Sequence, residues 1–447
     1  MVRRLPRPRP ARTRATDLWA AGLFVIVVTA GLWVQNGGLA VLLEGGLSTV
    51  SAIGQLTGLA AALAAMGGLI VAARPRWLER RFGQDSLLAA HRWFGIVTIV
   101  TLVVHVIADS WTWLPGGNPV TGLIDLLAHE SWMVAALMGT VLFLAVGLTS
   151  YRRLRKRIPY ETWYFIHLTA YLAVLLGFGH QVTLGSTIAP DVVSLVWWWA
   201  LAIGTTLLVA WSRLSDIART LTRRFYITAV SREADGIGSV HVSGPGLARL
   251  RVASGQFFQV RPMTRTMWWH AHPYSVSAAP TTAGLRFTVK ELGDGSAELL
   301  QVKPGTRVML EGPYGTFTID EAQGAPVVLV AGGVGISPIR ALLEDCGTDQ
   351  TPIVIIRVRH ESEVAHLAEL ERMVEARGGR LHVLAGRREW FTQNDPFSPQ
   401  ALRQWIPDVA RRHVFMCGPA SLESAVMKGM RKAGVPAAHI HHERFGV

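Results

Sequence analysis

Six apolar runs in the first half of the chain each reach the roughly 17–25 residues that a membrane-spanning helix needs. They cover about 17–36, 50–73, 88–110, 131–150, 162–183 and 190–212. From about residue 223 the pattern changes to short alternating strands broken by Gly and Pro, which is typical of a small β-barrel. After about residue 325, buried strands alternate with helices, which indicates a parallel α/β sheet. A multidomain chain is therefore predicted: a six-helix transmembrane bundle, a β-barrel and an α/β nucleotide-binding domain.

Basic residues are concentrated in alternate connections between the apolar runs. Arg-rich clusters precede the first run, separate the second from the third and the fourth from the fifth, and follow the sixth. The opposite connections, 37–49, 111–130 and 184–189, contain no Lys or Arg. By the positive-inside rule, the N-terminus and the second half lie on the cytoplasmic side of the plasma membrane. The basic clusters of the membrane half thus follow the positive-inside pattern, with the lipid bilayer as partner, and although the net charge is +13 no nucleic-acid partner is expected.

Histidines lie near both ends of the third and fifth apolar runs. His91 and His105 are 14 residues apart, and His167 and His180 are 13 apart. At 1.5 Å per residue each spacing corresponds to about 20 Å along a helix. Both runs cross in the same direction, so the four imidazoles form one pair at the inner face and one at the outer face. Two imidazoles with no further ligand at the same depth favour bis-histidine haem over zinc. The alternative is that these are polar residues bonded within the bundle.

The second half contains three motifs typical of nucleotide chemistry. VVLVAGGVGISPIRALL is a buried strand, a glycine turn and a helix, so its glycines could let the backbone approach a pyrophosphate. HPYSVSAAP (272–280) offers an aromatic ring and two hydroxyls, and GDGSAELL offers a second helix start. Each motif alone is also compatible with an ordinary turn. The two cysteines, Cys346 and Cys417, are too few for a disulfide framework or a cysteine-ligated iron–sulfur cluster.

These residues carry a resemblance to two known families. HPYS, AGGVGISP, CGP (417–419) and the terminal HHERFGV occur in the order found in the ferredoxin–NADP reductase superfamily. The histidine spacings of 14 and 13 resemble the ferric reductase-like transmembrane domain of NADPH oxidases and ferric reductases. The resemblance covers about residues 17–447 and implies a haem-binding transmembrane domain (17–213), an FAD-binding barrel (223–322) and an NAD(P)-binding domain (323–447). The Arg-rich residues 1–16 before it are predicted to be a basic cytoplasmic tail.

The resemblance also implies roles for individual residues. His91 with His167 would bind an inner haem b, and His105 with His180 an outer one. FAD would be contacted by a set of residues in two motifs: His272, Pro273, Tyr274, Ser275 and Ser277, with Gly295 and Ser296 at its pyrophosphate. The NAD(P)H pyrophosphate would lie on Gly332, Gly333 and Gly335.

The remaining implied roles concern the nicotinamide end of the site. Cys417, Gly418 and Pro419 would lie beside the hydride path, and Phe445 would shield the flavin or anchor the tail. Arg359 follows the strand IIRVR, where the 2′-phosphate of NADPH would lie, with Arg387 and Arg388 after the next strand. Arg suits a phosphate, which favours NADPH over NADH unless these are solvated loop charges.

Two departures from the oxidase pattern bear on the electron acceptor. NADPH oxidases that make superoxide tend to have a second His four residues after the outer ligand and an Arg in the first helix, whereas this chain has Asp109 and no such Arg. Some members have an aromatic residue between the haems, where this chain has Ala173. The outer mouth would instead be acidic, with residues that favour a metal cation: Asp109, Asp125, Glu130 and Asp191.

The expected function is transmembrane electron transfer from cytoplasmic NAD(P)H through FAD and two haems to an extracytoplasmic acceptor, foremost ferric iron or a ferric chelate. Three alternatives stay open: a superoxide-producing oxidase, a membrane electron donor to a partner protein, and a transporter with a regulatory nucleotide domain. The sequence does not determine the oligomeric state.

Overall fold

The computed structural model describes residues 2–8, 14–112, 124, 127–130, 132–186, 188–269, 271–387 and 395–444. The chain divides into two compact units. The membrane unit comprises residues 11–214, and the reductase unit comprises residues 1–10 together with 215–447.

Within the described residues, six helices of the chain are long and apolar enough to cross a membrane. They are α1 (Ala15–Gln35), α2 (Gly46–Ala73), α3 (Arg76–Thr112), α4 (Met133–Ser150), α5 (Tyr160–Thr183) and α6 (Val192–Thr222). Short helices also occur at Gly38–Leu43 and Arg152–Arg155. Apolar side chains such as Leu23, Ile107 and Leu175 are exposed on these helices. The six spans make this a multi-pass membrane protein, since side chains of this kind are stable only in contact with lipid.

Glycines set how closely the membrane helices pack. Helix α2 packs along α3, and α4 packs along α5. A Cβ at Gly139 of α4 would lie 3.0 Å from the carbonyl oxygen of Ala173 on α5, so only glycine allows this approach. Helix α3 is interrupted at Gly83, whose φ of 74° suits glycine. The long histidine-bearing part of α3 therefore begins after this residue.

The barrel of the reductase unit is a curled antiparallel sheet. Its strands are β1 (Phe225–Ala234), β2 (Ile237–Ser243), β3 (Phe257–Pro262), β4 (His272–Ser275), β5 (Leu285–Lys290) and β6 (Arg307–Tyr314). Their order across the sheet is β4-β3-β6-β1-β2-β5. A bridge between Val276 and Phe287 joins the chain just after β4 to β5, at the opposite end of that order. The sheet therefore closes, and the HPYSVS segment lies where its two edges meet. A short helix, α7 (Asp294–Leu299), follows β5.

The α/β part that follows is a parallel sheet in the order β11-β10-β7-β8-β9. The strands are β7 (Val327–Gly332), β8 (Ile353–Val358), β9 (Arg380–Ala385), β10 (His413–Gly418) and β11 (Ile440–Arg444). The helices are α8 (Ile336–Asp345), α9 (Leu367–Glu375), α10 (Pro399–Trp405) and α11 (Ala420–Ala433). The chain leaves β7 toward β8 and returns to β10 on its other side, so the strand order reverses between β7 and β10. In such sheets a ligand crevice lies beyond the carboxyl ends of these two strands.

The first residues of the chain form part of the reductase unit. We call residues 2–8 the N-terminal strap. Leu5 is only 5% exposed and belongs to the core of the barrel. The backbone N–H of Leu5 donates to the carbonyl of Pro280 (3.0 Å), and that of Val252 donates to the carbonyl of Pro6 (3.0 Å). Arg4 forms an ion pair with Asp345 at the end of α8 (2.9 Å). The strap thus contacts both the barrel and the α/β part.

Candidate functional site

The four membrane histidines lie in two facing pairs between α3 and α5. The ring centroids of His91 and His167 are 5.8 Å apart, and those of His105 and His180 are 6.2 Å apart. Helix α5 is continuous over both of its histidines. A spacing of 13 residues leaves His167 and His180 about 140° apart around an ideal helix. Each side chain then lies ~70° to one side of the face directed at α3, and from there each imidazole still reaches its partner on α3.

The separation within each pair fits an iron atom between the two rings. Imidazole nitrogens bind a metal at about 2.0–2.1 Å, so two axial nitrogens lie about 4 Å apart and the ring centroids about 6 Å apart. Both measured separations agree with this value. Among the described residues, no group of three or more His, Cys, Asp or Glu side chains is placed to hold a metal ion. The donor set therefore fits haem, whose porphyrin supplies the other four ligands, and not a zinc site.

Backbone carbonyls of α2 orient the two α3 histidines. The Nδ1 of His91 lies 3.1 Å from the carbonyl oxygen of Gly68, and the Nδ1 of His105 lies 2.9 Å from that of Gly54. Gly54 and Gly68 are 14 residues apart, as are the two histidines, and the helices run in opposite directions. A hydrogen bond at Nδ1 fixes the tautomer and leaves Nε2 for a metal. Helix α2 is thus a second element of both sites.

Helix α5 supports its histidines differently. The Nδ1 of His167 lies 3.4 Å from the Ser150 hydroxyl, which also accepts a hydrogen bond from the Trp163 indole (3.2 Å). The Trp163 ring stacks on His167 at 4.9 Å. Ala173 lies between the two histidines of α5 and is wholly buried. Because it is an alanine, this position contributes no aromatic ring between the two histidine pairs.

The HPYSVS segment presents two unsatisfied hydroxyls. Ser275 and Ser277 are buried, and neither Oγ has a hydrogen-bond partner in the described part of the chain. A buried hydroxyl without a partner costs about 1–3 kcal/mol, so these atoms indicate a ligand that supplies one. Burial raises the pKa of the Tyr274 hydroxyl to about 12, so its ring is neutral beside a flavin. Pro273 is exposed. The segment fits FAD.

A charged cluster holds the backbone of this segment. The carbonyl of Ser277 accepts hydrogen bonds from Arg286 on β5 (3.0 Å) and Arg340 on α8 (3.1 Å). Glu369 on α9 pairs with both arginines, at 3.1 and 2.6 Å. Burial disfavours ionisation of Glu369, but the hydrogen bond from Arg286 and the two positive charges outweigh it and lower its pKa to about 2. The cluster ties the flavin segment to the nucleotide-binding part.

The GDGSAELL motif meets the same segment at one residue. A Cβ at Gly295 would lie 2.7 Å from the Nε2 of His272, so glycine is needed for the two motifs to touch. The Ser296 hydroxyl accepts from the backbone N–H of Leu292 (2.8 Å) and donates to the carbonyl of Gly293 (2.8 Å). Its hydrogen bonds therefore close its own turn, and Gly295 is the member of this motif that faces the flavin segment.

The glycine turn after β7 lies beside the CGP motif at the end of β10. Gly333 has a φ of 56°, which favours glycine. A Cβ at Gly335 would overlap the carbonyl oxygen of Cys417, and one at Gly332 would lie 2.9 Å from Pro419. A Cβ at Gly418 would lie 3.1 Å from the Cα of Gly332. The two motifs meet at the switch point of the sheet, where a backbone free of side chains fits a pyrophosphate.

The other residues predicted to bind the nucleotide differ in how far they are exposed. Cys417 is fully buried in the core of the α/β part, and burial, with the nearby charges of Glu443 and Glu423, raises its thiol pKa well above the usual value. Its sulfur is therefore a neutral thiol. Arg359 and Arg387 are exposed at the ends of β8 and β9. Phe445, Arg388 and Asp125 lie outside the described residues.

Four features of the structure are not predicted from the sequence: the α2 carbonyls, the Glu369 cluster, the contact of Asp109 with His105 (3.1 Å), and the N-terminal strap. One signal was available, since Gly54 and Gly68 repeat the spacing of 14 found between His91 and His105. The other three join residues far apart in sequence or depend on side-chain direction.

Family models match three parts of the chain. Residues 57–178 match the ferric reductase like transmembrane component, residues 233–318 an FAD-binding domain, and residues 329–428 an oxidoreductase NAD-binding domain. The first match covers α3 and most of α5, and the other two cover most of the barrel after β1 and the α/β part as far as α11. The predicted fold class is confirmed.

Known proteins resemble the second half. Ferredoxin–NADP reductase B of Sorangium cellulosum is 31% identical over 190 residues, which cover 38% of this chain and 77% of that protein. The flavohemoprotein of Xylella fastidiosa is 25% identical over 253 residues, 50% of this chain and 59% of that protein, so the match spans little more than half its length. The flavohem-like FAD/NAD-binding domain of nitric oxide dioxygenase from Vibrio cholerae aligns with a TM-score of 0.43 at 24% identity, covering 50% of this chain and 99% of that one. The chain belongs to the ferredoxin–NADP reductase family through its second half, joined in one polypeptide to a ferric reductase-like transmembrane component, and is a membrane oxidoreductase that transfers electrons from NAD(P)H through FAD.

Proposed function

We propose that this chain carries electrons from cytoplasmic NAD(P)H across the membrane to an extracytoplasmic acceptor, foremost ferric iron or a ferric chelate, through FAD and two bis-histidine haems. The observation that carries the proposal is the pair of facing imidazole rings at each of two depths, 5.8 and 6.2 Å between centroids. Fourteen residues of α3 separate the two depths by about 21 Å, which covers most of a hydrocarbon core about 30 Å thick.

The reductase unit supplies the entry point for electrons. Gly332, Gly333 and Gly335 hold the pyrophosphate of NAD(P)H at the switch point, and the CGP motif faces its nicotinamide end. The Ser275 and Ser277 hydroxyls donate to FAD, while Arg286 and Arg340 keep the Ser277 backbone in place. FAD, when bound, supplies the change from a two-electron hydride donor to one-electron transfers. Arg359 and Arg387 are placed to bind the 2′-phosphate, so NADPH is the proposed donor.

The membrane histidines determine how electrons leave. His91 with His167, and His105 with His180, would each hold the iron of one haem. A haem held by two imidazoles would supply one-electron transfer without binding the acceptor. This suits a ferric chelate, which needs one electron and no coordination. Asp109 replaces the second histidine typical of superoxide-producing oxidases, which further favours iron over oxygen. The basic connections favour a cytoplasmic position for the reductase unit by the positive-inside rule.

Spectra of the purified protein test the haem part of the proposal. The wild-type protein is expected to show the Soret and α bands of two low-spin b-type haems, both reduced by NADPH. His167→Ala and His180→Ala should each remove about half of the haem. His360→Ala, at an exposed position of the reductase unit, is the matched control and should remove none. A purified protein without a Soret band would overturn the proposal.

The acceptor is tested separately with protein in sealed vesicles. NADPH supplied to the reductase side should drive reduction of a ferric chelate on the other side, and superoxide dismutase should leave that rate unchanged. Superoxide formed in stoichiometry with NADPH consumption would instead identify an oxidase. Haem reduction without transfer to either acceptor would point to a donor for a partner protein.

A further inference from the structure

Asp109 contacts the outer histidine pair directly. It lies one helical turn after His105 on α3, and its Oδ2 is 3.1 Å from the Nδ1 of His105. The same Nδ1 is 2.9 Å from the carbonyl of Gly54. The hydrogen bond of this nitrogen thus goes to the Gly54 carbonyl, and the Asp109 carboxylate lies at ion-pair distance from the same nitrogen. A Cβ on Gly54 would overlap the Asp109 carboxylate, so this glycine makes room for the arrangement.

The inner pair lacks this carboxylate. The Nδ1 of His91 is 3.1 Å from the carbonyl of Gly68, and the residue one turn further along α3 is Gly95. A Cβ built on Gly95 would have no atom within 4 Å in the described part of the protein. The two histidines of α3 therefore have the same backbone acceptor but differ in the residue four positions later, which is Gly95 for the inner ligand and Asp109 for the outer one.

We propose that Asp109 is a positioning residue that lowers the reduction potential of the outer haem relative to the inner haem; this rests on the proposed function. A carboxylate 3.1 Å from Nδ1 adds a negative charge beside the imidazole and so makes it a more basic ligand. A more basic ligand stabilises ferric iron, which carries the larger positive charge, over ferrous iron. A backbone carbonyl alone does this less, because it is uncharged.

The proposal gives this position a chemical role in acceptor choice. A lower potential at the outer site makes it a stronger one-electron reductant, which suits ferric chelates that are difficult to reduce. It also means that the Asp109 carboxylate is engaged with the haem ligand, so cation binding at the outer mouth falls to other groups. Asp191 instead accepts from the backbone N–H of Ser194 (2.7 Å) at the start of α6 and has no part in the pair.

Potentiometric titration of the full-length protein in detergent tests the proposal. Asp109→Asn should raise the reduction potential of one haem by about 59 mV or more, which is a tenfold change in a one-electron reduction equilibrium. The reduction potential of the other haem should stay unchanged. The wave that disappears from the titration of His180→Ala belongs to the outer haem. Asp191→Asn is the matched control, because it removes an equal charge from a residue bonded at the start of α6 while Asn still caps the helix. This control should move neither wave.

The outcomes separate this inference from the proposed function. If the wild-type protein holds no haem, the proposed function fails. If both haems are present and Asp109→Asn leaves both potentials unchanged, or if Asp191→Asn moves the outer wave equally, the role of Asp109 is refuted. Should Asp109→Asn fold poorly, Asp109→Ser is titrated in its place, and the ferric low-spin EPR signal of the outer haem should shift in either variant.

Discussion

Replacing Gly58 by Ala is expected to weaken the outer haem site and spare the inner one. Gly58 lies on α2 against His105, and a Cβ there would be 2.9 Å from Nδ1 and 3.0 Å from Cε1 of that ring. Ordinary contacts begin at 3.4 Å, so the imidazole must move by about half an ångström or the helices must separate. Either change disturbs the Nδ1 hydrogen bond to Gly54 and the separation from His180.

The size of the effect follows from packing energies. Forcing an extra methyl group into a closely packed site costs about 1–3 kcal/mol. At about 1.4 kcal/mol per factor of ten, haem affinity at the outer site should fall about 5- to 150-fold. Gly68→Ala is the matched control: its Cβ would lie 3.9 Å from the Nδ1 of His91, an ordinary contact. Both variants gain about the same helix propensity, ~1 kcal/mol, so this term cancels.

The assay is haem stoichiometry per chain, followed by redox titration. The wild-type protein and Gly68→Ala should each retain two haems, and Gly58→Ala should retain the inner one and lose or shift the outer one. The reasoning is refuted if Gly58→Ala keeps both haems with unchanged potentials. It is also refuted if Gly68→Ala loses haem to the same extent, because the effect would then come from helix packing in general.

Three further predictions concern the reductase unit. Leu5→Ala should lower its free energy of unfolding by about 2–5 kcal/mol, as expected for a buried leucine, measured by denaturant titration with the exposed Val2→Ala as control. Ionised Glu369 stabilises the fold, since its pKa of about 2 in the folded protein is below the ordinary 4.5. The free energy of unfolding should therefore fall as the pH drops from about 4.5 toward 2. Glu369→Gln should remove most of this pH dependence. Arg359→Ala should raise the KM for NADPH and leave that for NADH unchanged.

Each of these predictions has an outcome that contradicts it. Equal unfolding midpoints for Leu5→Ala and Val2→Ala would show that the strap is not part of the folded core. An acid transition that persists unchanged in Glu369→Gln would assign the pH dependence to other carboxylates. An equal rise in KM for both nucleotides would mean that Arg359 does not recognise the 2′-phosphate.

The membrane helices and the two motif-rich domains could be predicted because their signals are local. A long apolar run specifies a span by itself, and the spacing of His91 and His105 is set by helix geometry alone. The glycines of the AGGVG turn are likewise recognisable within a few residues, because they stand between a buried strand and a helix.

The parts that were missed depend on contacts between distant segments. The support of His91 by the backbone carbonyl of Gly68 joins two different helices, and its one sequence signal is that Gly54 and Gly68 repeat the histidine spacing of 14. Asp109 was interpreted as a surface charge, because nothing in the sequence shows that its carboxylate turns toward His105. The hydrogen bonds of the Ser296 hydroxyl within its own turn likewise cannot be read from the motif, and its contact with the FAD pyrophosphate stays a prediction. The N-terminal arginines fitted the positive-inside pattern, which does not reveal that Arg4 pairs with Asp345.

The N-terminal strap has a consequence for biosynthesis. The position that Leu5 fills in the barrel is formed by strands that follow residue 215, so the ribosome must synthesise all six hydrophobic helices before the two parts can meet. Until then Leu5 has no barrel core to pack against. A fragment that starts at residue 215 would leave its place in the barrel empty, and adding residues 1–10 as a separate peptide should restore the missing stability.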